Sequence, residues 1–165
     1  TYRKYTSEET GEYSLRPYAV KEYARRWYMI AYCKERKGIR VYGLDRIRSL
    51  KKTSTRFRMP SDFDVDSLFA TSFGIYLPEG RGRTITFRTS HTEAGFLRDL
   101  PIHHSQKEIS SGKEHVTFSI FACPDRNMIM EFCRYGSRIE VLSPQQVREA
   151  VAAELKKASE MYDEK

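Results

Sequence analysis

The stretch Arg26-Trp27-Tyr28-Met29-Ile30-Ala31-Tyr32-Cys33, the turn Lys37-Gly38 and the return Ile39-Arg40-Val41-Tyr42-Gly43-Leu44 decide how the first half of the chain reads. Aromatic and β-branched side chains fit a pleated, half-buried surface, so the first run is a strand that Lys37-Gly38 folds back on itself. Other short strands surround this hairpin. Tyr2 to Thr6 is one, Tyr13 to Tyr18 a second after a turn at Thr10-Gly11-Glu12, and Ile47 to Thr53 a last. Short strands with tight turns and few helix signals predict a small curled β-barrel over residues 1–60, closed off by Pro60-Ser61-Asp62.

Beyond it the rhythm changes. Residues 61–80 read as a linker with a short helix at about Val65 to Thr71, and residues 81–165 as an α+β extension. Arg83-Thr84-Ile85-Thr86-Phe87-Arg88 alternates at period two, as a half-buried strand does. Ser90-His91-Thr92-Glu93 has capping-box spacing and starts a helix that stops before Pro101. Two strands follow, Ser105 to Ile109 and His115 to Ala122. Asp125 then opens a helix with Ile129, Phe132 and Cys133 on one face, ended by Gly136, and Arg138 to Leu142 is a last strand. The order β-α-β-β-α-β is that of a ferredoxin-like sandwich. Ser143 at the cap and Pro144 at the first position start a C-terminal helix with the stripe Val147, Val151, Leu155, Ala158 and Tyr162. The segment Pro60 to Leu77, with Phe63, Phe69, Phe73 and Gly74, is the natural hinge between the halves.

Charge is divided between the halves. Residues 1–60 hold 16 Lys and Arg against 6 Asp and Glu, a net of +10, and residues 61–165 hold 13 against 16, a net of −3. The basic part also holds eight of the eleven tyrosines and the one tryptophan. Cations meet phosphates and rings stack on bases, so this mixture suits single-stranded nucleic acid; a solvated basic surface around an aromatic core is the plainer reading. With 39 % hydrophobic and 31 % charged residues, the composition is that of a foldable soluble chain. No stretch reaches the roughly 18 consecutive apolar residues of a membrane span. Three cysteines (Cys33, Cys123, Cys133) are too few for a disulfide-stapled scaffold, and a cytoplasmic setting is the expectation. The start at Thr1, without Met and already strand-like, reads as the edge of a fragment.

At these residues the chain resembles the WYL domain family. The run Arg26 to Cys33 is similar to the family's signature strand, with Met29 where the namesake Leu usually stands, a volume-conserving change. Leu44-Asp45-Arg46-Ile47 resembles the second hallmark, with Arg40 and Tyr42 ahead of it and Pro17-Tyr18 upstream. His104-Ser105-Gln106, Tyr135-Gly136 and Val141-Leu142-Ser143-Pro144 resemble the extension that follows many WYL domains. The resemblance implies a Sm-like, SH3-type barrel followed by an α+β extension. It further implies the sensing and dimerisation part of a bacterial transcriptional regulator, with a winged helix-turn-helix domain upstream. The resemblance implies, too, a nucleic-acid ligand, notably single-stranded DNA, as recognised in relatives.

The resemblance points to Arg16, Tyr18, Arg40, Tyr42 and Arg46 as lining the nucleic-acid or ligand surface, and Arg26 and Tyr28 of the signature strand are expected with them. Arg40, Tyr42, Leu44 and Arg46 share one strand parity and so one face if the strand is regular, and two guanidiniums flanking a ring suit a phosphate and its base. For Arg46 the other reading is a brace paired with an acidic neighbour. Trp27, Met29 and Ala31 oppose Tyr28, Ile30 and Tyr32 in parity; one set is core, and Trp27 is expected in it. The chain carries no nucleophile elbow, P-loop or zincin motif, so no enzyme is expected. The cysteines lack metal-ligand spacing, Asp62, Asp64 and Asp66 lack the Gly and Glu of a calcium loop, and no metal or cofactor is expected. Two other functions remain open: sensing of a small anionic nucleotide-like effector, and a purely structural oligomerisation module.

Overall fold

The computed structural model describes residues 1–4 and 10–163. The chain is α+β and divides into two compact units, one of Thr1–Phe69 with Gly74–Leu77, the other of Ala70–Phe73 with Pro78–Lys165.

In the first unit β1 (Tyr2–Arg3) pairs with β2 (Thr10–Gly11), and β3 (Leu15–Tyr23), β4 (Arg26–Cys33) and β5 (Gly38–Gly43) form an antiparallel sheet in the order β3-β4-β5. The pairing of Tyr23 with Arg26 leaves a two-residue turn, Ala24-Arg25, and both residues have positive φ, +50° and +62°. A turn of that twist matches the twist of the strands it joins. The ladder of β3 shifts register between Pro17 and Ala19, where proline has no amide to give. The expected strand from Ile47 to Thr53 is absent. Ile47 makes a single bridge to Tyr2, the Arg48 amide donates to the Thr1 carbonyl (3.0 Å), and from there to Pro60 the chain has no regular structure. Its cations Lys51, Lys52, Arg56 and Arg58 give it no apolar face to bury. Among the described residues no sheet closes into a barrel. The part of the expected strand Tyr2–Thr6 that follows Lys4 lies outside the described residues.

The sheet is covered on both sides along its middle. One face carries Met29, Ala31, Cys33 and Tyr42 against Tyr2, Tyr13, Leu15 and Ile47. The other carries Tyr28, Ile30, Ile39 and Val41 against α1 (Val65–Phe69), Phe63, Ile75 and Leu77. Ile30 and Ala31, of opposite parity, are both fully buried. Parity therefore does not separate core from surface here. Trp27 is not in the core: it stands before the covered stretch and is 54 % exposed.

The second unit is built on β6 (Arg83–Ser90), α2 (His91–Asp99), β7 (Lys107–Ser111), β8 (His115–Ala122), α3 (Arg126–Arg134), β9 (Ile139–Ser143) and α4 (Gln145–Glu160). Its antiparallel sheet runs β7-β8-β6-β9. Alternate residues of the two central strands, Ile85, Phe87, Val116, Phe118 and Ile120, are buried with Met128 and Phe132 of α3 and Val147 and Val151 of α4. The caps act as their sequence implies. The Ser90 hydroxyl accepts from the Glu93 amide (3.3 Å), the Asp125 carboxylate from the amides of Asn127 and Met128 (2.9 and 3.1 Å), and Gly136 takes φ +55° past α3. Ser143 does not cap α4: its hydroxyl pairs with that of Thr86 (2.6 Å), and Pro144 holds the cap position. The α4 stripe is buried at Val147 and Val151, while Tyr162 is 87 % exposed. Of the inter-half aromatics, Phe63 and Phe69 pack in the first unit and Phe73 in the second.

Candidate functional site

The residues selected from sequence fall into three places in the first unit. Register pairs Arg16 with Tyr32 and Lys21 with Tyr28, which puts Arg16 and Tyr28 on the face covered by α1. The Arg16 guanidinium lies 5.6 Å from the Tyr32 ring centre. Tyr18, in the register shift, contacts Phe63 and Phe57, with ring centres 4.8 and 6.1 Å apart. Arg40 pairs with Ala31 on the opposite face, is exposed, and turns its Nη1 onto the Ile39 carbonyl (2.7 Å).

Arg26 and Arg46 form the third place. The strand ends at Gly43, and Leu44–Arg46 wind into a 3₁₀ turn, so Leu44 and Arg46 do not continue the parity of Arg40 and Tyr42. Gly43 pairs with Tyr28, which sets this turn beside the start of β4. There Arg26 ion-pairs with Asp45 at 3.7 Å, and the Arg46 guanidinium lies 5.1 Å from the Tyr2 ring centre. Trp27 and Leu44 stand exposed around them, at 54 % and 38 %. Two guanidiniums thus stand at one turn, and the open indole of Trp27 follows Arg26 directly in sequence. Trp27, expected in the core, is the exposed ring that sequence reasoning missed; the signal was its place at the head of the strand, beside the tight turn at Ala24-Arg25.

Tyr42 lies beneath the surface. It is 5 % exposed, edge-on to Tyr2 (5.0 Å) and tilted against Tyr13 (5.9 Å). The Tyr2 hydroxyl accepts from the Gly43 amide (3.1 Å), so this pair pins the start of the turn that carries Arg46. Burial first, and the neighbouring Cys33 thiol second, push the Tyr42 phenol well above its ordinary pKa; the thiol faces its oxygen, which makes no hydrogen bond of good geometry among the described residues. Tyr42→Phe removes that unmatched oxygen and is expected to raise stability by about 1 kcal/mol, read as a higher urea midpoint at unchanged slope. A loss of similar size would mean the hydroxyl is matched after all. Nearby, the Glu35 carboxylate accepts from the Ser14 amide at 2.9 and 3.0 Å; its own main chain and that of Ser14 hold its pKa down at about 2.

Among the described residues no group of three or more His, Cys, Asp or Glu could hold a metal ion, and no helix is long and apolar enough to cross a membrane.

A WYL domain model matches residues 1–52 and a WCX domain model residues 81–159. Among solved structures the chain is similar to the proteasome accessory factor B/C (PafBC) of Arthrobacter aurescens, at 19 % identity and a TM-score of 0.43 over 99 % of this chain and 25 % of that one. It is also similar to a CRISPR Cas-related protein, at 14 % identity and a TM-score of 0.57 over 98 % of this chain and 46 % of that one. The chain thus spans less than half the length of either. No curated protein matches it.

Proposed function

Since the chain belongs to the WYL family, with a WCX domain following the WYL domain, we propose that it is the ligand-sensing part of a bacterial transcription regulator and that its basic first half binds nucleic acid, single-stranded DNA above all. The observation that carries this reading is the corner where Arg26 and Arg46 stand at one turn, with the exposed Trp27 next to Arg26 in sequence. A guanidinium offers a planar fork to phosphate, and an open indole stacks on any base. The reading keeps Arg16, Tyr18, Tyr28 and Arg40, which stand elsewhere on the same sheet, as further contacts, with Tyr42 buried beneath. The same reading takes the first half as a Sm-like fold, supported by the Tyr2–Ile47 bridge between its two ends, and the second as ferredoxin-like, supported by the strand order β7-β8-β6-β9. It also takes the protein as a cytoplasmic homodimer without catalytic role, joined to an upstream helix-turn-helix domain.

Trp27→Ala and Arg46→Ala are each expected to weaken binding of a fluorescent oligo-dT at least tenfold, about 1.5 kcal/mol, with the thermal midpoint of the Trp27 variant unmoved. Unchanged affinity in both folded variants would reject the corner as the binding surface. A salt titration separates a strand from a single nucleotide: the logarithm of affinity falls steeply with that of salt for the first and shallowly for the second.

A further inference from the structure

The segment from Leu50 to Pro60, Leu-Lys-Lys-Thr-Ser-Thr-Arg-Phe-Arg-Met-Pro, has no regular structure, and every residue in it is exposed. From Arg46 to Ser61 there are six cations and no acid. Lys51, Lys52, Arg56 and Arg58 make no ion pair among the described residues, and the main-chain amides of Leu50 to Met59 make no hydrogen bond there. This strap is not featureless polar chain. Phe57, 40 % exposed, lies with its ring centre 6.1 Å from that of Tyr18, which in turn meets Phe63, and Arg56 and Arg58 flank it in sequence.

We infer that the strap is the track along which a single-stranded nucleic acid runs, with Phe57 on Tyr18 as a stacking platform and Lys51, Lys52, Arg56 and Arg58 on the phosphates. The inference rests on the nucleic-acid reading above and extends it to residues outside the Arg26–Arg46 corner. Three physical points favour a strand over other polyanions. Four cations without internal partners lose no ion pair when they meet phosphate, so their attraction is not offset. An exposed ring between two guanidiniums fits a base with a phosphate on each side, which an acidic peptide does not supply and a duplex keeps stacked inside. A segment held by so few contacts lies at the low end of local stability, and unmade amide hydrogen bonds leave donors for phosphate oxygens.

The test uses the full 165-residue chain and fluorescent oligo-dT of about 15 nucleotides, within the length range that such surfaces occupy. The quadruple variant Lys51→Gln, Lys52→Gln, Arg56→Gln, Arg58→Gln is expected to make the slope of log affinity against log salt shallower by about 3, at roughly 0.7 per lost phosphate contact. Phe57→Ala is expected to lose about tenfold in affinity at unchanged slope. Because Lys51, Lys52, Arg56 and Arg58 make no ion pair among the described residues, circular dichroism melting of the quadruple variant should match that of the parent chain. Phe57→Ala, which gives up the Tyr18 contact of a partly exposed ring, should stay folded. Wild-type slope and affinity in both variants, while Trp27→Ala still weakens binding, would overturn the strap and leave the reading of the corner standing. Failure of the parent chain to bind oligo-dT at low salt would overturn both. Tighter binding of polyglutamate or of duplex DNA than of oligo-dT, lost in the same variants, would also overturn the strap's assignment to a single strand.

Discussion

Replacing Phe87 by alanine is expected to remove about 3–5 kcal/mol of stability, a large part of the total that a domain of this size possesses. Phe87 is fully buried in β6, the strand hydrogen-bonded on both sides, to β8 and to β9. Its ring stacks on Phe118 (5.7 Å, 19°) and meets Phe132 edge-on (5.4 Å, 69°). The substitution empties a ring's volume at the meeting point of sheet and α3 and breaks both aromatic contacts, which add to the cost of burial. A central strand cannot move inward to refill the space, because its ladders on both sides hold it. Urea unfolding followed by circular dichroism measures the loss. Phe96→Ala serves as the control: that ring is 65 % exposed, and its removal is expected to cost no more than about 0.5 kcal/mol. A Phe87 variant within 1 kcal/mol of the parent would show that the ring is not the centre of this core.

The two halves of the chain were not equally legible, and the difference is physical. In the second unit each central strand buries one face only, so period-two alternation in Arg83–Ser90 and His115–Ala122 reports burial directly. Ser90 and Asp125 act on amides two or three residues ahead, a local event that spacing alone predicts. The first unit differs because β4 is enclosed on both faces by segments remote in sequence, Tyr2 and Ile47 on one side and Phe69 and Ile75 on the other. Alternation within β4 cannot say where along the strand that cover stops, and Trp27 lies beyond it. Tyr42 has the right strand parity for a ligand face, but Tyr2 and Tyr13 close over it. Arg46 reaches the corner through a 3₁₀ turn rather than through strand parity. The approach of Arg26 to the turn that carries Arg46 is therefore a product of the β4–β5 pairing and the 3₁₀ turn after Gly43, which composition and spacing point to only in outline.

Acidification supplies the second large effect. His103 is 5 % exposed, between the Phe73 ring (5.0 Å) and the ring of His104 (4.2 Å). The Ser105 amide donates to its Nδ1 (3.3 Å), which makes Nδ1 the unprotonated nitrogen, and the Ser105 hydroxyl that touches the same atom (2.7 Å) also bonds the main chain of Phe121. A proton on Nδ1 would face a donor and place a charge where water is excluded. Burial first, and the neighbouring His104 second, accordingly push the pKa of His103 down to about 4, from 6.5 for an ordinary histidine. The folded chain thus binds this proton less readily than the unfolded one. Its contribution is complete above pH 6.5, shrinks as pH falls towards 4, and is then lost, a change of about 3 kcal/mol at 1.36 kcal/mol for each pH unit between the two values. Carboxylates whose pKa is held low by a salt-bridge partner, such as Glu108 beside Arg98 and Glu140 between Arg148 and Arg88, lose stability only lower down and do so in any variant. His103→Asn keeps an acceptor near the Nδ1 position and cannot take up the proton. Urea midpoints of the parent chain should therefore fall between pH 6.5 and 4.5 while those of the variant stay level, whatever the variant's absolute stability. Parallel curves over that interval would mean that His103 is protonated in the folded state as easily as in the unfolded one, and that the Ser105 amide does not hold its Nδ1.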